Sequence, residues 1–363
     1  MYIHEQPDWP QFRWQDARLT ATLAAVRHQQ GRLIGRMEAL GFASRGEASF
    51  EFLVQDVLKT SEIEGERLNV DQVRSSLAQR LGIDIGALAP ADRYVDGVVE
   101  MVLDATTHYR EPLTLNRLWG WHAGLFPTGW SGMSRVAVGS WRTGPMQVVS
   151  GRFGQEHIHF EAPSGDRVAF EMDRFLNWFN SGEALEPVLK SALAHLWFVT
   201  IHPFDDGNGR VARAIADLSL ARSEEIPQRF YSMSAQIQRE RASYYQQLET
   251  TQKGDLDVTQ WLTWFLDCLS RALESADSTL ESVIRKAQFW EKIAPVSINE
   301  RQRVMLNRLY DGFDGKLTTT KWAKMTKTSQ DTAQRDIADL IEHGFLSKDS
   351  SRGRSTSYSI VKP

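Results

Sequence analysis

Apolar residues recur in this chain at three- and four-residue spacings, and that period constrains its fold more than any other feature. Leu19, Leu23, Val26, Leu33, Met37 and Leu40 stripe one face of a long helix, with Gly41 as its C-terminal stop. Phe50, Phe52, Leu53, Val57 and Leu58 mark a second helix, which Gly65 ends. Amphipathic stretches follow at 70–80, 92–109, 115–125, 168–180, 187–201, 209–222, 238–251 and 257–292. Short polar links join several of them, which predicts a mainly α, bundle-like protein and not alternating βαβ units.

Two segments depart from the period. Residues 147–168 alternate, with His157, His159 and Glu161 against Ile158 and Phe160, and then turn at Pro163-Ser164-Gly165-Asp166, so they read as a β-hairpin. Residues 296–363 hold 12 Lys and Arg against 8 Asp and Glu, a net +4, while the rest of the chain is net acidic. Their pattern is helix (299–310), short helix (319–325), helix (329–343), then two short strands around Ser350-Ser351-Arg352-Gly353, the order of a winged helix-turn-helix.

Length and composition set outer bounds. A chain of 363 residues can hold two or three domains, and 42% hydrophobic with 24% charged residues excludes a collagen-like or disordered protein. No apolar run reaches the ~18 residues of a membrane span. The opening MYIHEQPDWPQF lacks the basic start and apolar stretch of a secretion signal, so a cytoplasmic location is expected. Cys268 is the only cysteine, which excludes an intrachain disulfide and a multi-cysteine zinc site. A net charge of −4 argues against the whole chain as a polyanion binder.

The chemistry concentrates in HPFDDGNGRVAR, residues 202–213. A buried helix with Leu189, Ala192, Leu193, Leu196 and Trp197 on one face leads into it, and Pro203 ends that helix near Ile201. The next helix carries Val211, Ala214, Ile215 and Leu218 on its core side, so Gly207-Asn208-Gly209 is a tight turn opening onto a helix N-terminus. Exposed backbone N–H groups at such a terminus bind anions. Arg210 and Arg213 share a face of the first turn, where the helix dipole favours acids; phosphate binding explains them better. Asp206 is a hard oxygen ligand suited to Mg²⁺, and His202 has the pKa range of a general base.

This string matches the Fic family signature HxFx(D/E)GNGRxxR at all eight specified positions: His202, Phe204, Asp206, Gly207, Asn208, Gly209, Arg210 and Arg213. The chain therefore resembles that family, and Arg142 with the following hairpin resembles its flap. The resemblance implies a Fic/Fido helical core and AMP transfer from ATP to a Tyr, Thr or Ser hydroxyl of a target protein, with self-modification. It implies His202 as base, Asp206 as Mg²⁺ ligand, the 207–209 backbone on the phosphates, Arg210 and Arg213 on the outer phosphates, and His157, Ile158, His159 and Phe160 as flap edge. Tyr244-Tyr245 is similar to a tyrosine pair near the adenine, with core packing as the alternative. Kinase-like members carry Lys where this chain has Gly209, which argues for AMP transfer.

Upstream, Thr60-Ser61-Glu62-Ile63-Glu64-Gly65 resembles the family's inhibitory pattern [S/T]xxxE[G/N], which implies that Glu64 pairs with Arg213. Ser61 and Glu64 also spell a capping box, but it falls late in a helix where such a box has no use. His157 and His159 suggest a metal site; without a third ligand nearby in sequence, they read as hairpin surface. The aromatic N-terminus (Trp9, Phe12, Trp14) reads as packing. In the C-terminal segment, Asp331, Asp336, Asp339 and Glu342 crowd the third helix, so docking of a protein or homodimerisation is expected there ahead of DNA binding. The expected parts are an N-terminal helical regulatory region (1–100), the catalytic core (101–270), a linking helix (271–295) and the winged helix (296–363). Removal of AMP, another nucleotide donor, and a nucleotide-sensing regulator are the alternatives.

Overall fold

The computed structural model describes all residues except 39–41, 84, 86–88, 153–154, 183–184, 312, 314, 350–355 and 362–363. Gly41, Leu40 and the turn at 350–353 expected in the C-terminal segment lie outside the described residues. The elements are α1 (Asp16–Glu38), α2 (Phe42–Ile63), α3 (Val70–Leu81), α4 (Arg93–Thr107), α5 (Leu115–Leu125), β1 (Trp130–Ser131), β2 (Ser134–Arg135), β3 (Gln147–Arg152), β4 (Gln155–Glu161), α6 (Val168–Asn180), α7 (Pro187–Ile201), α8 (Asn208–Glu224), α9 (Met233–Arg239), α10 (Arg241–Gln252), α11 (Thr259–Ile293), α12 (Glu300–Asp311), α13 (Thr319–Met325), α14 (Gln330–Glu342), β5 (Leu346–Lys348) and β6 (Tyr358–Ile360). The protein is mainly α-helical, with small antiparallel hairpins. No helix is long and apolar enough to cross a membrane.

The chain forms two compact units, Met1–Leu77 with Pro90–Asp277, and Ala78–Ala89 with Ser278–Pro363. The first contains both the N-terminal region and the segment of the motif. Its axis is α7, in which every residue from Leu189 to Ile201 except Lys190 is buried. Pro187 opens this helix at a position where its missing N–H costs nothing, and the Glu186 carboxylate caps the Leu189 amide. Ser191 Oγ donates to the Ala216 carbonyl of α8 at 2.7 Å, and Trp261 Nε1 of α11 donates to the Ala192 carbonyl at 2.8 Å. The aromatic N-terminus packs on this core: Trp9 and Phe12 meet the Trp197 ring edge-on, and Trp9 Nε1 donates to the buried Glu171.

Two local features differ from the sequence expectation. The single helix expected at 238–251 is broken into α9 and α10 at Glu240, whose carboxylate takes two hydrogen bonds of 2.6 Å from Arg271. The second is the additional hairpin β1–β2, too short to show alternation.

The second unit has its own apolar cluster. Trp322, Met305, Leu306, Ala333, Ile337 and Leu340 are buried together, and Leu317 bridges to Tyr358 beside the β5–β6 pair. Asp336 of α14 is bound by Arg301 and Asn299 of its own unit, so that acid of the third helix serves packing.

Candidate active site

His202 directly follows α7, in the left-handed region at φ 51° and ψ 58°. A non-glycine residue there stores roughly 1–3 kcal/mol and needs support from its surroundings. Buried Arg142 supplies it, donating from Nε to the His202 carbonyl (2.7 Å) and from Nη2 to the carbonyls of Ile201 (3.2 Å) and Pro163 (2.6 Å). Arg142 thereby ties the end of α7 to the far end of the β3–β4 hairpin. His202 Nδ1 lies 3.1 Å from the Val199 carbonyl, which only a protonated Nδ1 satisfies. Nε2 is left with its lone pair. Burial holds the ring's pKa below its ordinary value despite the Val199 carbonyl, so the imidazole is neutral and basic at pH 7.

The loop after His202 is built from its own residues. Asn208 Oδ1 accepts from the Phe204 amide (2.9 Å) and Nδ2 donates to the Phe204 carbonyl (2.8 Å), closing the turn. Phe204 is fully buried and stacks on His122 at 4.0 Å between centroids. Burial pushes the His122 pKa down to about 4, so a neutral ring faces the phenyl group. Asp206 is held by the Ser131 hydroxyl from β1 and by its neighbour's amide, while 45% of its side chain stays exposed. A half-exposed carboxylate beside a phosphate-binding turn, 3.8 Å from Arg210 Nη2, fits Mg²⁺, which keeps most of its waters and shares the rest with substrate phosphates.

Both arginines of α8 are already engaged. Arg213 donates from Nε to Thr60 Oγ1 (2.9 Å) and from Nη2 to the Thr60 carbonyl and Glu64 Oε1 (2.8 Å each). Arg210 donates from Nη1 to Glu66 Oε2 (2.9 Å) and to Tyr94 Oη (2.5 Å), and its guanidinium lies over the Phe126 ring. Gly65 makes this double engagement geometrically feasible. At φ +86° it turns the chain at the end of α2: its amide bonds to the Glu62 carbonyl and that of Glu66 to the Ser61 carbonyl. Glu64 and Glu66 thus emerge on either side of a fixed turn. The Glu64 carboxylate then presses on Gly209, where a Cβ would lie 2.2 Å from Oε1. Arg213 Nη1 and Arg210 Nε are buried without an acceptor among the described residues, a donor surplus suited to an anion.

In front of this cluster opens a cavity of about 680 Å³, the size of a small-molecule site. Glu64, His202, Asp206, Gly207, Asn208 and Gly209 line it on one side, and flap and α10 residues on the other. Arg210 and Arg213 do not line it; Glu64 stands between Arg213 and the open space. Tyr244 and Tyr245 both line it. Tyr244 is buried with its hydroxyl on His195 Nε2 (2.8 Å), while the Tyr245 hydroxyl reaches Glu64 Oε2 at 3.3 Å. Of the four residues expected at the flap edge, His159 and Phe160 line the cavity; His157 and Ile158 do not. One expectation is corrected here: the histidine pair does have a third potential ligand, because the fold brings Glu249 to it.

Residues 112–220 match the Fic/DOC family, and residues 2–83 match a domain of unknown function, DUF4172. The chain carries a Fic/DOC domain. It is 28% identical over 239 residues to Protein adenylyltransferase Fic of Aedes aegypti, covering 62% of this chain and 42% of that protein. The protein of the same name from Drosophila melanogaster is 27% identical over 290 residues, covering 74% of this chain and 53% of that protein. The chain thus spans about half the length of these curated relatives. Among solved structures, a Fic family protein of Desulfovibrio desulfuricans superposes with a TM-score of 0.53 at 20% identity over 95% of this chain and 96% of that one. A Fic domain containing signaling protein of Bacteroides thetaiotaomicron gives 0.50 at 18% identity over 73% of this chain and 97% of that one. These likenesses establish the Fic fold.

Sequence reasoning missed Glu66, Tyr94, Ser131 and Glu249. Each meets its partner only in the fold, 144 residues away for Glu66 and Arg210 and 75 for Ser131 and Asp206. A second acid two residues after Glu64, opposite a second arginine, was the one available signal.

Proposed function

We propose that this chain transfers AMP from ATP to a protein hydroxyl and that Glu64 restrains the transfer. The relatives named protein adenylyltransferase support the reaction class, and the position of Glu64 in front of Arg213 supports the restraint. The target oxygen attacks the α-phosphorus, its proton passes to His202 Nε2, and the bond to the pyrophosphate oxygen breaks. Gly207, Asn208 and Gly209 line the same cavity at the start of α8, and the free amides of this helix N-terminus take up the charge that develops on the phosphoryl oxygens. Asp206 would hold Mg²⁺, which supplies charge neutralisation on the phosphates. For Arg213 to reach an outer phosphate, Glu64 must leave, because one guanidinium face cannot serve both anions. We further read the second unit as a winged helix that docks protein or pairs with a second copy of the chain, without a part in the chemistry.

The deciding experiment incubates wild type and Glu64→Gly with labelled ATP and maps modified residues by mass spectrometry. Removing the Glu64 carboxylate frees Arg213 for a phosphate and takes away a like charge facing it, and each ~1.4 kcal/mol gained in this way is tenfold in rate. Glu64→Gly is therefore expected to raise auto-modification roughly tenfold or more, and Arg213→Ala to stay inactive although it breaks the same pair. A folded Glu64→Gly variant no more active than wild type overturns the restraint, and silence of both with every nucleotide overturns the reaction.

A further inference from the structure

The β3–β4 hairpin is irregular at one place. Val148 pairs with Phe160, but the next residue, Val149, pairs with Ile158, so His159 is the extra residue of a bulge. A bulge re-aims the side chain that it inserts. Here it brings the His159 ring to within 4.6 Å of the His157 ring, centroid to centroid, with both rings beside one carboxylate of α10. Glu249 Oε2 lies 2.6 Å from His159 Nδ1, and Glu249 Oε1 lies 3.6 Å from His157 Nε2. One ligand atom from each of the three residues falls within 4.8 Å of the others.

From this arrangement we propose that His157, His159 and Glu249 bind a divalent transition metal ion of the zinc class, which clasps the flap strand β4 onto α10. Two imidazoles and a carboxylate suit Zn²⁺, Co²⁺ or Ni²⁺, whereas Mg²⁺ and Ca²⁺ take oxygen ligands. Ligands at ~2.1 Å from one ion lie roughly 3–4 Å apart, so the 2.6 Å contact of Glu249 with His159 opens slightly and His157 needs only a small inward movement. His157 is free to make it, since 66% of its side chain is exposed.

The outer partners are also in place. Ser150 Oγ lies 2.6 Å from His159 Nε2. Without metal, the ring donates from Nδ1 to Glu249 and accepts from the Ser150 hydroxyl. With metal, the ring takes its other neutral tautomer: Nδ1 offers its lone pair to the ion, and Nε2–H donates to Ser150 Oγ. A hydroxyl serves both states without moving, and metal-bound histidines are held in this manner. One cation competes for the carboxylate, because Lys253 Nζ is 2.6 Å from Glu249 Oε1. It sits just past the end of α10 with 38% of its side chain exposed, so it can swing into water.

The site is distinct from Asp206 and no step of the proposed transfer passes through it, so its binding test stands whether or not that reading does. Ser150, His159 and Glu249 line the cavity, so the ion would fix the wall opposite the phosphate loop.

The test strips the full chain with chelator, keeps it in excess Mg²⁺, and titrates it with Co²⁺ while recording visible absorption, then with Zn²⁺ by calorimetry. About one equivalent of Co²⁺ is expected to give the absorption of a histidine-bound ion, which Zn²⁺ displaces. His159→Ala and the isosteric Glu249→Gln are each expected to weaken Zn²⁺ binding by roughly tenfold or more, whereas His28→Ala, at an exposed position of α1, leaves it unchanged. Absence of saturable binding, or equal binding by wild type and both site variants, overturns the proposal.

Discussion

At the scale of single residues, the site is a set of groups whose protonation the fold has settled. His202 has its Nδ1 proton committed to Val199, and burial lowers its pKa. His202→Ala is therefore expected to cut nucleotide transfer by ~10²–10⁴ while ATP affinity, read by calorimetry, stays within a few-fold. Because the base works when unprotonated and its pKa is lowered, the rate of the Glu64→Gly chain should hold level at neutral pH. It should fall with acidification only below the ordinary histidine value of 6.5. A limb centred above that value would assign the base to another group. Glu66 stands to Arg210 as Glu64 does to Arg213, but 42% of its side chain is exposed, so its ion pair is worth ~1 kcal/mol or less. In the Glu64→Gly background, Glu66→Gln is expected to tighten ATP binding by up to about fivefold. Weaker binding would show that Glu66 orients Arg210 for the phosphate and does not compete with it.

At the scale of elements, helix α2 is tied down by a buried acid. Asp56 accepts from Ser232 Oγ and lies near Asp217, which is paired with Arg229 (3.2 Å). Burial first, and the Asp217 charge second, push the Asp56 pKa up to about 8. A carboxyl raised in this way binds its proton more tightly when folded than when unfolded. Its contribution to stability is present at acid pH and is lost as pH rises from the ordinary carboxylate range through about 8. Asp56→Asn cannot ionise, so the fall in Tm between pH 6 and 9 should be shallower in that variant than in wild type. Parallel curves would locate the pH dependence elsewhere. The boundaries of α5, α6 and α7 were legible in the sequence because an unbroken apolar period ends at Pro, Gly or a polar cap. The break at Glu240 was not, because Arg271, a residue of α11, holds its carboxylate in place and leaves no trace in the local period.

At the scale of the whole molecule, two cores are built from separate stretches of chain. Trp322 is fully buried in the second, among residues of its own unit. Trp322→Ala should destabilise that unit by ~3–5 kcal/mol. Scanning calorimetry is expected to show two transitions, of which the substitution lowers one. A joint shift of both, or a single transition, would make the units one cooperative body. The Fic/DOC match and the cavity both lie in the first unit, so the lowered transition should leave nucleotide binding intact.

The motif at 202–213 was readable in full because its parts are local. A buried helix, a proline stop, a glycine turn and a second helix set His202 and Asp206 on one short loop and the arginines in the first turns of the helix that follows it. The Thr60–Gly65 segment was readable as a helix end for the same reason, and its pairing with Arg213 through family resemblance. What occupies Arg210, what steadies Asp206 and what faces the two flap histidines were decided by tertiary packing alone. Glu66, Ser131 and Glu249 sit in ordinary polar stretches, and their partners lie 144, 75 and 90 residues away. Contacts at such separations follow from how α2, the β1–β2 hairpin and α10 dock on the buried α7–α8 pair. That docking is set by apolar surface, which carries no information about which polar groups will meet at its edge.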